Sequence, residues 1–107
     1  MLFRRRCYRN NFRQGQITIE EMKNKIKQGA IVIDVRSKQE YNEGHIQDAI
    51  NIPDHEVNNN IENIVRDKNQ LVVLYCQSGS RSQNAHMKML RKGYKNVYWL
   101  AGGLDMI

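Results

Sequence analysis

The sequence predicts an α/β domain with a parallel sheet between two layers of helices, and three observations carry that reading. Two runs, "AIVIDV" (30–35) and "LVVLY" (71–75), are almost wholly apolar and rich in β-branched residues, as in strands covered on both faces. Each is followed by a stretch whose apolar residues recur at helical spacing, so strands alternate with helices of 8–14 residues. The chain has 107 residues, enough for one such unit and too few for two.

Taken in order, Thr18 with Glu21 three residues on forms a capping box. A first helix follows, with Met22 and Ile26 on its apolar face and Gly29 as its stop. The run 30–35 is the first strand recognised. "AINIP" (49–53) reads as a short strand closed by the chain's single proline. Residues 54–67 place Val57, Ile61, Ile64 and Val65 at helical spacing. The run 71–75 is a second buried strand. Residues 82–92 form a helix turning Ala85, Met89 and Leu90 inward and stopping at Gly93, and "NVYWL" is the last strand.

The charge is uneven. Residues 1–16 hold Arg4, Arg5, Arg6, Arg9 and Arg13 with no acid, whereas the other 91 residues carry 12 basic and 11 acidic side chains. The net charge of +6 therefore belongs to an arm, expected to be solvated and flexible, attached to a nearly neutral body (17–107). Such an arm offers attraction to an anionic membrane surface or to RNA. No run approaches the ~20 apolar residues of a membrane span, and there is no signal-peptide pattern. Cys7 and Cys76 lie far apart and form no CxxC; His45, His55 and His86 are scattered, so no metal site is predicted. Two cysteines make no disulfide framework, which favours a reducing, cytoplasmic setting. GxxxxGK[ST], GxSxG and GxGxxG are all absent.

What remains is "LVVLYCQSGSRS" (71–82). In an open α/β sheet, reactive groups sit past the carboxyl ends of the strands, where the loop enters the next helix, and Cys76 has that position. The amides of Gln77, Ser78, Gly79, Ser80 and Arg81 can turn inward as an anion-binding nest, assisted by the positive end of the following helix. Gly79 permits the left-handed turn, Ser78 and Ser80 are small, and Arg81 adds a permanent charge with a planar donor fork. A thiol in such surroundings ionises more readily than a free one and becomes a nucleophile without an adjacent base. A lone cysteine is more often a small buried hydrophobe; the glycine, the arginine and the strand–loop–helix placement are what weigh against that here.

"IDVRSKQEYNEGHIQDAINIP" (33–53), "YCQSGSRS" (75–82) and "LAGGL" (100–104) together resemble the rhodanese (sulfurtransferase) domain family, over about residues 17–104. The resemblance implies a five-stranded parallel sheet flanked by helices. It implies transfer of a sulfane sulfur from thiosulfate or a similar anionic donor onto Cys76, and from the persulfide to a thiophilic acceptor such as cyanide, without a cofactor and in a monomer. Cys76 would carry the sulfur and the amides of 77–81 would cradle it, while the Arg81 side chain draws in the donor. Asp34, Arg36, Glu40 and His45 match the family's framework motif, with Asp34 expected to brace the loop, Arg36 to pair with Glu40, and His45 and Tyr41 to pack. A carrier that hands sulfur to a partner protein would use the same loop, and a non-catalytic interaction module is the third reading. Four residues separate Cys76 from Arg81, one fewer than the Cys-x5-Arg pattern of cysteine phosphatases, which favours an extra sulfur over a tetrahedral phosphate. Where the family commonly has an aromatic residue after the glycine pair, this chain has Leu104.

Overall fold

The computed structural model describes residues 14–107; the five arginines of the arm and Cys7 lie outside the described residues. Strands β1 (Gln16–Ile17), β2 (Ile31–Asp34), β3 (Ile50–Asn51), β4 (Val72–Tyr75) and β5 (Val97–Leu100) form one sheet in the order β1-β5-β4-β2-β3. Every pairing is parallel. Helices α1 (Ile19–Lys27), α2 (Lys38–Glu43), α3 (Val57–Ile64) and α4 (Ser80–Arg91) make the crossovers, with 3-10 turns at Asp54–Glu56 and Gly103–Met106. No helix among the described residues is long and apolar enough to cross a membrane.

Alternation along the strands divides the interior into two cores. Val72 and Leu74 of β4 and Ile33 of β2 point to one face, where Val57, Ile61, Ala85 and Met89 of α3 and α4 cover them. Val73, Tyr75 and Val32 point to the other, against Ile17, Met22 and Leu100, with Ile19 and Tyr41 at its margin. Cys76 belongs to the α3/α4 core, so the residue after β4 already inclines toward that side.

Five of the predicted elements appear where the pattern placed them, and the departures have physical causes. The stretch 54–67 is a 3-10 turn followed by a helix that ends at Ile64. Val65 is extended and takes the buried position, where the Tyr94 hydroxyl donates to its carbonyl, so Ile64 stays 40% exposed. Ile26 is also exposed and Leu90 is only half-buried. Helix α4 starts two residues early, at Ser80. Two elements carry no apolar signal and escaped the reading. Helix α2 buries none of its side chains and is held instead by a capping box between Ser37 and Glu40. Strand β1 is two residues long and begins at Gln16, the last residue assigned by charge to the arm; Gln16 pairs with Trp99 and the Gln14 carbonyl accepts from Trp99 Nε1 at 2.9 Å.

Candidate active site

Cys76 leaves β4 completely buried, and the chain then wraps around its sulfur. Gly79 takes a left-handed conformation (φ 112°) that turns the chain into α4. A Cβ there would be strained, and would crowd the Gly102 amide at 3.3 Å. This turn aims the Gly79 amide at Cys76 Sγ at 3.0 Å and brings the Ser82 amide to 3.4 Å. The buried Ser82 hydroxyl lies 3.6 Å from the sulfur and donates to the Gly79 carbonyl at 3.0 Å, fastening the loop to the first turn of α4. Gly79, Ser80, Arg81 and Ser82 open α4, so their N–H groups have no carbonyl one turn behind them to bond. Two backbone amides thus point at the sulfur, whose own hydrogen bond goes to the Ser82 hydroxyl oxygen.

Ser82 is the residue the sequence reading missed. Its signal was its place at the helix start, but its hydroxyl's turn inward follows from the chain reversal at Gly79 and has no pattern of its own. Of the five predicted cradle residues, Gly79 donates to the sulfur, while Gln77, Ser78, Ser80 and Arg81 make no hydrogen bond to it among the described residues. Ser78 and Ser80 are exposed at the loop's outer side.

The loop is held from outside by the chain's last turn. The Leu104 amide donates to the Cys76 carbonyl and the Asp105 amide to the Gln77 carbonyl, each at 2.9 Å. The Gln77 side chain donates to Asp105 Oδ1 at 2.7 Å. Gly103 (φ 59°) is buried directly against those two carbonyls. With the carbonyls drawn outward to this turn, the amides that follow are free to face the sulfur.

Arg81 reaches across the top of the sheet to α2, where its two terminal nitrogens donate to the Glu40 carboxylate at 2.7 and 3.1 Å. The guanidinium, together with the Ser37 amide, holds the Glu40 carboxyl down to about 2. The expected Arg36–Glu40 pair is therefore corrected. Arg36 lies at a bend before α2, where its own amide also donates to Asp34 Oδ1 at 2.9 Å, so it turns back onto Asp34 rather than onto a helical neighbour. Its Nη2 donates to Asp34 Oδ2 at 2.8 Å and to the Gly44 carbonyl at 2.6 Å.

Asp34 also accepts from the Tyr75 hydroxyl at 2.7 Å, and burial pushes that phenol's pKa up. The Asp34 carboxylate, expected to brace the Cys76 loop, is bonded on the side of the sheet to which Tyr75 points. It reaches the loop only through Tyr75, the residue before Cys76. His45 is exposed and stacks on Tyr41 with ring centroids 3.7 Å apart, away from the sulfur. A groove of about 360 Å³ beside α2, lined by Lys38, Tyr41, Asn51 and Glu56 among others, contains neither Cys76 nor its loop.

The profile of the Rhodanese-like domain family matches residues 18–107. The chain belongs to that family. Among relatives, it is 38% identical over 79 residues to the thiosulfate sulfurtransferase GlpE of Pseudomonas entomophila, covering 74% of this chain and 71% of that protein. It is 35% identical over 79 residues to a tRNA uridine(34) hydroxylase of Sodalis glossinidius, and spans only 22% of that much longer protein. Among solved structures, it is similar to a rhodanese with anions from E. coli at 42% identity and a TM-score of 0.67, covering 73% of this chain and 91% of that one. A structure from Staphylococcus saprophyticus superposes with a TM-score of 0.75 at 30% identity, covering 86% of this rhodanese-like chain and 91% of its own.

Proposed function

We propose that this rhodanese-like domain is a sulfurtransferase that carries a sulfane sulfur on Cys76. The observation that carries the reading is the Cys76 sulfur at the carboxyl end of β4, receiving the Gly79 and Ser82 amides. Similarity to a thiosulfate sulfurtransferase over most of that protein's length supports the reaction class.

In the first step the Cys76 thiolate attacks the outer sulfur of a thiosulfate-type donor. A Cys76–sulfur bond forms, the donor's sulfur–sulfur bond breaks, and sulfite leaves with the electron pair. The product persulfide is an anion whose charge sits on its terminal sulfur, within reach of the amides that open α4. In the second step a thiophilic acceptor attacks that terminal sulfur and Cys76 leaves as thiolate, so no proton is transferred and no general base is required. This agrees with His45 standing away from the sulfur.

The burial of Cys76 favours transfer of a single exposed atom over attack on a bulky tetrahedral phosphate. The Arg81 fork is already occupied by Glu40, so it presents an incoming donor with an ion pair rather than a lone cation. Thiosulfate:cyanide sulfurtransfer tests the assignment: activity in the native chain and its loss in Cys76→Ser support it. Aryl phosphate hydrolysis comparable to sulfur transfer would overturn it.

A further inference from the structure

The two ends of the sheet differ in charge. At the amino ends of the strands, three turns are tied to one another: Gln70 donates to the Gly29 carbonyl, the Lys95 amide to the Lys68 carbonyl, and Asn96 to the Asn69 carbonyl. These turns and the helix ends that enter them expose Lys27, Arg66, Arg91 and Lys95. Lys25, over the Tyr98 ring at 4.1 Å, and Lys68 and Lys92, both on Glu62, add three more. Glu62 and Asp67 oppose these seven cations, and the exposed Asp48, level with Ile31 in the parallel β2–β3 register, adds a third acid at this end. At the other end, where Cys76 lies, Asp34, Glu40 and Asp54 each hold a cation of their own. That leaves Glu20, Glu21, Glu56 and Asp105 against Lys38.

The arm joins the basic end. Because β1 runs parallel to its neighbours and Gln16 pairs with Trp99, Gln14 lies level with Val97, the first residue of β5. The described chain therefore begins at that end of the sheet, and the preceding residues 1–13 hold in sequence five arginines together with Leu2, Phe3, Tyr8 and Phe12.

We propose that the amino ends of the strands form a docking face for an anionic phospholipid bilayer, which holds the domain with Cys76 turned away from the surface. Cations within a Debye length of such a surface attract it additively, and aromatic side chains partition at its interface. The acidic opposite end is repelled, so the charge distribution sets an orientation as well as an affinity. The apolar Leu2, Phe3 and Phe12 among the arginines favour a bilayer, whose interface takes up such side chains, over RNA.

Flotation of the full chain with vesicles of phosphatidylcholine alone or with phosphatidylglycerol tests this, with single-stranded and duplex RNA as competing ligands at the same ionic strength. Each cation near the surface gives roughly a fivefold gain in affinity. The combined Lys27→Gln, Arg66→Gln, Arg91→Gln and Lys95→Gln variant should therefore bind phosphatidylglycerol vesicles roughly six-hundredfold more weakly. Lys38→Gln, at the other end, should bind as the native chain does. All four replaced residues are exposed, and circular dichroism checks the fold. Three results would overturn the proposal: native-like binding by the fourfold variant, equal binding to uncharged vesicles, or tighter binding to RNA than to the anionic vesicles. The readout is binding alone, so it stands or falls independently of the sulfur chemistry.

Discussion

Gly103→Ala probes whether the last turn sets the geometry of the Cys76 loop. A Cβ on Gly103 would lie 2.6 Å from the Gln77 carbonyl oxygen, and closer still to that of Cys76. Both neighbours are backbone, so no side chain can swing aside. The loop must retreat by about 0.8 Å at the Gln77 carbonyl, and by more at that of Cys76, to reach the 3.4 Å of ordinary contact. A misplacement of about 1 Å at a reacting centre costs roughly a hundredfold in rate. Alanine at a left-handed φ adds roughly 1–2 kcal/mol of strain, or about 5–15 °C in Tm for a domain of this size. Gly29→Ala is the matched control, because Gly29 also has positive φ (96°) but nothing within 4 Å of a Cβ. Both variants should lose the stability due to backbone strain, Gly103→Ala losing more through its contact with the loop, while only Gly103→Ala should lose about two orders of magnitude in kcat/KM for thiosulfate:cyanide transfer. A folded Gly103→Ala protein with kcat/KM within twofold of native would show that the last turn does not position the loop.

Three further outcomes follow from the ion pairs and the loop. Arg81→Ala should raise KM for thiosulfate and weaken its dependence on salt, while Glu40→Gln, which frees the guanidinium, should lower KM at low ionic strength; steady-state kinetics across a salt series checks both. Glu40 has a folded pKa of about 2, below its ordinary 4.5, so its contribution to stability is present above pH 4.5 and lost as pH falls toward 2. The stability gap between native protein and Glu40→Gln in urea titrations should be constant near neutrality and close over that window. Asp34→Asn should cost roughly 3–5 kcal/mol, because it leaves the Arg36 guanidinium buried without its counter-charge and weakens the acceptor for Tyr75; chemical denaturation measures it, and a loss below 1 kcal/mol would show that the Gly44 carbonyl suffices for Arg36.

What the sequence disclosed divides along physical lines. β2, β4 and β5 were legible because a strand buried on both faces must be apolar throughout, and α1 and α4 because their caps and apolar spacing agree. α2 was hidden because it buries no side chain fully and only Tyr41 packs at the margin of a core; its Ser37/Glu40 box was present in the letters but framed no apolar run. β1 was hidden because it is two residues long, and only its pairing with Trp99 and Leu100 makes it a strand. The position of Cys76 and the turn at Gly79 follow from local chain geometry and could be read. The Arg81–Glu40 contact joins residues 41 apart and depends on how α2 and α4 face each other across the sheet. Reading Arg36 with Glu40 assumed helical spacing, whereas Arg36 lies at a bend and α2 begins only at Lys38. Ser82 and Gly103 act through a hydroxyl turned inward and a missing Cβ, and neither leaves a periodic trace.

The central claim is that Cys76 itself takes up the sulfur, and mass spectrometry of the full chain after thiosulfate treatment tests it most directly. The peptide containing Cys76 should gain the mass of one sulfur atom and lose it on addition of cyanide, and the Cys76→Ser protein should gain none. An unchanged mass on that peptide, or the added sulfur found on Cys7 instead, would contradict the account.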